Sequence, residues 1–117
     1  MRHANNKRTL GRTRRGRTAL VRGLAVSLIR DGQITTSLAK AKELQPSIEK
    51  LVTHAKSDTI QSRRLVSSRL GEPSDVVLNK LFKDIAPKFA ERSGGYTRVV
   101  KLGRTSGRDE AVIAFVE

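Results

Sequence analysis

A chain of 117 residues with 24 Lys and Arg against 11 Asp and Glu, a formal charge of +13, is long enough for one hydrophobic core and short for two. It has no cysteine, which excludes disulfides, a thiolate nucleophile and Cys-based metal sites and fits a reducing compartment such as the cytoplasm. The longest apolar run, about residues 19–29, is interrupted by Arg22 and falls short of the ~20 residues of a membrane span, so no bilayer crossing is expected.

The charge is concentrated at one end. Residues 1–30 carry nine bases (Arg2, Lys7, Arg8, Arg12, Arg14, Arg15, Arg17, Arg22 and Arg30), and the first carboxylate is Asp31. Residues 31–117 hold fifteen bases against eleven acids, a net +4. A run of like charge repels itself and buries no apolar surface. Residues 1–17 are therefore expected to form an extended arm, mobile until a polyanion neutralises it, ahead of a single domain over residues 18–117. Nucleic acid is the leading class of partner. A mitochondrial transit peptide has a similar composition, but here the amphipathic stretch runs without a break into later helix and strand patterns.

In chain order, Leu20, Leu24, Leu28 and Ile29 make one stripe of a helix starting near Thr18 as N-cap and stopped by Asp31-Gly32. Gln33 to Ser37 is short and β-branched, as a strand should be, and Ser37 can cap the next helix. In that helix Leu44, Ile48, Leu51, Val52 and Ala55 form the apolar face, with Pro46 either kinking it or restarting it. Asp58 and Gln61 have capping-box spacing for a third helix from about Thr59, with Ile60, Leu65, Val66 and Leu70 as its apolar positions and Arg63, Arg64 and Arg69 on a wet side.

A fourth helix carries Val77, Leu78, Leu81, Phe82, Ile85 and Phe89, with a kink or a new short turn at Pro87, and ends at Ser93-Gly94-Gly95. Two strands, Tyr96 to Leu102 and Ala111 to Val116, read as a hairpin around a polar loop over Gly103 to Asp109. The last is apolar throughout, which requires cover on both faces or a central place in the sheet. The fold class is α+β in two layers, order α-β-α-α-α-β-β, with a small mixed sheet packed on helices.

Three stretches in the same order resemble the bacterial large ribosomal subunit protein seventeen family: Met1-Arg2-His3; Ile34-Thr35-Thr36-Ser37 followed by Lys40-Ala41-Lys42-Glu43; and Ala86-Pro87-Lys88-Phe89 through Gly94-Gly95-Tyr96-Thr97-Arg98. The chain departs from that family at Gly16-Arg17, Arg22-Gly23 and Pro46. The resemblance implies an α+β fold, binding to large-subunit rRNA of the 23S type, and a place near the nascent-chain tunnel exit beside other large-subunit ribosomal proteins.

The residues expected to contact RNA are Arg2, His3, Lys7, Arg8, Arg12, Arg14, Arg15, Arg17 and Arg22 at the N-terminal end, and Lys40, Lys42, Arg63, Arg64, Arg98, Lys101 and Arg104 on the body. Cations at loose spacing suffice for phosphate, and arginine adds a planar fork for phosphate or a guanine edge. Lys40 and Lys42 open a helix, whose N-terminus already favours anions. Arg98, Lys101, Arg104 and Arg108 are expected to form a second contact around the hairpin loop. A DNA-binding architectural protein is the alternative, since charge alone does not separate the two nucleic acids.

Catalysis finds little support. Ser37-Leu38-Ala39-Lys40 has Ser-x-x-Lys spacing but no partner motif follows it. His3 and His54 are the only histidines and sit near no acidic cluster. No cofactor, metal, membrane or small-molecule substrate is expected.

Overall fold

A computed structural model describes residues 10, 11, 13–105 and 108–116. Helix α1 spans Arg14–Asp31 and so starts ahead of the expected Thr18. The cap is Thr13: extended at φ −66 and ψ 167, it accepts the Gly16 N–H on its hydroxyl at 3.2 Å. Thr18 lies one turn inside, its hydroxyl donating back to the Arg14 carbonyl at 3.0 Å. The helix ends as the sequence predicts, with Gly32 at φ +83 donating to the Leu28 carbonyl at 2.8 Å, a left-handed conformation that a Cβ would oppose.

Strand β1 (Gln33–Ser37) leads directly into α2 (Leu38–Ser57), and the Ser37 hydroxyl accepts the Lys40 N–H at 3.3 Å. Leu44, Ile48, Leu51, Val52 and Ala55 are all buried, so the predicted face is the real one. α2 passes through Pro46 as one helix, not as a restart. The ring lies on the exposed side, where water can replace the bond that its nitrogen cannot donate.

α3 (Ile60–Arg69) is capped one residue later than the Asp58/Gln61 spacing predicts. Asp58 takes the left-handed cap of α2 at φ +44, and the reciprocal box is made by Thr59 and Ser62, with bonds of 3.1 and 2.9 Å. Ser62 is thereby buried with its polar groups bonded, while Ile60 is 70% exposed and Leu65 lies outside the core; only Val66 and Leu70 of the predicted apolar set reach it.

α4 (Asp75–Asn79) widens into a π turn over residues 80–85 and tightens into a 3-10 turn over residues 86–89, with Pro87 in its first turn. Pro87 has no N–H for the carbonyl four residues back and crowds it, so the turn before it opens. Leu81, Phe82, Ile85 and Phe89 stay buried through the change of pitch.

β2 (Thr97–Thr105) and β3 (Arg108–Phe115) form the hairpin, and both reach further than predicted: Arg104 pairs with Asp109 and Thr105 with Arg108, so these arginines belong to strands and not to a loop. A register shift between Lys101 and Gly103 absorbs the mismatch. The sheet order is β1-β3-β2, and both pairings are antiparallel. This corrects the expected mixed sheet; apolar patterning identifies strands but carries no sign for their direction.

β3 is central, which accounts for its unbroken apolar run. Ala111, Ile113 and their neighbours Ile34 and Val99 face α2, and full burial of a side chain such as Ile113 contributes up to roughly 1.5–3 kcal/mol. The opposite face carries Val100 at 48% exposure beside Arg98 and stays uncovered by the described residues.

Candidate nucleic-acid interface

Of the predicted contact residues, Arg2, His3, Lys7, Arg8 and Arg12 lie outside the described residues. Arg14, Arg15 and Arg17 ride on the opening turns of α1, where no acidic residue stands. Helix N-termini favour carboxylates because the first N–H groups and the macrodipole present positive charge. The guanidinium groups of Arg14 and Arg15 in the first turn add like charge to like, which costs the free helix stability and leaves an anion-attracting end.

The first three turns of α1 open onto a cleft of about 380 Å³ between α1, α2 and the end of α3. Its rim holds five cations, Arg14, Arg17, Arg22, Lys50 and Arg69, against one carboxylate, Glu43, and its floor includes Val21, Ala25, Leu51 and Leu70. Arg22 is fixed across it: Nε donates to the Arg69 carbonyl at 3.1 Å, satisfying a last-turn acceptor of α3. Gly71 lies beside it at φ +78, a left-handed conformation that favours glycine, and a Cβ there would only touch Arg22 Cδ at an ordinary contact distance of 3.4 Å. Lys50 and Arg69 were not among the predicted contacts. In the sequence Arg69 reads only as part of the wet side of α3, and its meeting with Arg22 spans 47 positions.

The other predicted residues are dispersed. Lys42 is exposed and Lys40 half-buried at the start of α2, with the Lys40 N–H already taken by Ser37. Arg63 is built into the fold, donating from Nε to Asp58 at 2.9 Å with its guanidinium 4.8 Å from the Phe82 ring centre. Arg64 is exposed beside it, on a shallow groove of about 390 Å³ with Ile60 and Glu72. Arg98 and Lys101 are both exposed on edge strand β2, but three residues apart on a strand they point to opposite faces. Arg104 lies on β2 opposite Asp109, and its side chain lies outside the description.

Chemically a cleft with five cations to one carboxylate can bind anions. Among the described residues no three His, Cys, Asp or Glu come together in a group suited to a metal ion, and no helix is long and apolar enough to cross a membrane.

Fold and surface together define a small α+β protein whose concave and exposed chemistry is cationic. Residues 20–117 match the family model described as Ribosomal protein L17. All 117 residues align at 48% identity with the large ribosomal subunit protein bL17 of Sphingopyxis alaskensis, covering 82% of that protein, and at 44% with that of Persephonella marina, covering 94%. The chain belongs to the ribosomal protein L17 family.

Proposed function

We propose that this chain binds large-subunit ribosomal RNA through an arm formed by its N-terminal basic segment and through the cationic surface where α1 begins, and that it takes part in subunit assembly in this way. By family it is a structural protein of the large ribosomal subunit and not an enzyme. The observation that carries the RNA reading is the charge partition: nine cations and no carboxylate over residues 1–30, running into the arginine-bearing first turn of α1. An architectural DNA-binding role would share this charge, and family membership favours ribosomal RNA over it. A location near the nascent-chain tunnel exit, beside other large-subunit proteins, belongs to the same proposal and rests on the family resemblance.

The test is deletion of residues 2–12, which removes Arg2, Lys7, Arg8 and Arg12 and spares the Thr13 cap. The affinity of the full chain for a large-subunit rRNA fragment should fall steeply with salt. Loss of four phosphate contacts should reduce the slope of log K against log salt by up to about 3 to 3.5. Equal slopes with and without the segment would rule out the arm as an RNA-binding element.

A further inference from the structure

Resting on that RNA reading, we infer that the cleft between α1, α2 and the end of α3 is a receptor for one unstacked nucleotide of single-stranded RNA, with the base over Val21 and Arg22 and its flanking phosphates on the rim cations. A surface that only neutralises phosphate needs charge at loose spacing and no depth. This one is concave, within the range of small-molecule clefts of roughly 300–1,000 Å³, and it combines an apolar floor with a cationic rim. A nucleotide has the matching make-up, a flat and largely apolar face joined to an anionic edge. A base held inside a duplex does not present that face, whereas a splayed base in a loop or bulge does, and it stacks on arginine planes as well as on aromatic rings.

Arg22 is suited to this role because the fold has already ordered it. Its bond to the Arg69 carbonyl uses one of five guanidinium donors and leaves the others for a ligand. An ordered side chain loses less conformational freedom on binding than a free one. Arg14, Lys50 and Arg69 are exposed around it and come from three different helices, so the rim can meet the phosphates on both sides of a single base.

The experiment follows the methyl resonances of Val21, Leu51 and Leu70 in the full chain as a short single-stranded RNA is added, with a duplex RNA, inorganic polyphosphate and a Glu-rich peptide as parallel titrants. Single-stranded RNA should move these methyls and the other three should not. In the R14Q/K50Q variant the shifts should be lost, the melting temperature kept or slightly raised, and the salt slope for single-stranded RNA lowered by about 1.4 for two contacts. Equal shifts with polyphosphate, duplex or the peptide would overturn the assignment in favour of a plain anion, shape or protein site. RNA binding that leaves the methyls unmoved would overturn the cleft's role while the wider RNA reading stood, and no RNA binding at all would remove both.

Discussion

Tyr96 shows how single residues tie the last third of the chain to α2. The ring is 2% exposed and packs 5.2 Å from the Phe89 centroid, so its hydroxyl must find partners inside. It accepts from Thr53 Oγ1 at 3.4 Å and Lys56 Nζ at 3.2 Å and donates to the Arg92 carbonyl at 3.2 Å. Beside it Glu49 accepts from the Gly95 N–H at 3.2 Å and the Thr97 hydroxyl at 2.9 Å, which pins the glycine turn onto the helix. The Thr53 hydrogen bond, with help from Lys56, holds the Tyr96 phenol below its usual range against the opposing effect of burial. Because the folded value is depressed, this linkage adds stability only at alkaline pH, fully above the unfolded value near ~10, and loses it as pH falls through the folded value. At neutral pH the phenol is protonated in both states and the linkage adds nothing. Tyr96→Phe should therefore cost about 1–2 kcal/mol at neutral pH, from lost hydrogen bonds, and visibly more as pH approaches ~10. Urea unfolding at both pH values reads this difference, and a gap that does not widen would count against the phenolate being favoured in the folded state. None of this was legible in the sequence, where Tyr96 reads only as the start of a strand; its partners Thr53 and Lys56 lie 43 and 40 positions away.

At the scale of elements, legibility followed the range of the forces. The α2 face, the Gly32 stop and the Ser37 cap are set within a turn or two, and the sequence carries them. The capping box moved by one residue because Asp58 was taken by the end of α2, and Ile60 stayed outside because the tertiary packing of α3 decides which side it buries. The early start of α1 has a functional consequence, since it places Arg14 and Arg15 in a first turn whose dipole disfavours cations. Gly23 weakens the same helix further, costing about 1 kcal/mol relative to Ala at its interior position. Stability and binding then pull in opposite directions at Arg15, which is exposed. Arg15→Glu should stabilise the free protein by roughly 0.3–1 kcal/mol, by putting a carboxylate on the first turn, and should weaken rRNA binding while flattening its salt slope by about 1. Thermal melts and RNA titrations on one preparation separate the two effects; loss of stability together with unchanged RNA affinity would show that the first turn of α1 serves the fold alone.

For the whole molecule the question is whether the basic N-terminal segment is an independent arm or part of the folding unit. Charges that folding brings together repel more in the native state than in the unfolded one, and salt relieves this within a Debye length of about 10 Å at 0.1 M. Of the formal +13, residues 2–12 carry four positive charges and no negative one, so their deletion leaves +9. If that segment is an arm, its charges are about as far from the body after folding as before, and they contribute little to native repulsion. Added salt should then raise the melting temperature of the full chain and of the deletion by the same amount. A larger gain for the full chain would mean that the segment folds against the body, and the arm would have to be abandoned. With an rRNA fragment present the two proteins should part, because a ligand of the native state stabilises it in proportion to RT ln(1 + [L]/Kd) and the full chain should have the lower Kd. Equal response to salt combined with unequal response to RNA is the joint signature of a segment that is dispensable for folding and required for binding.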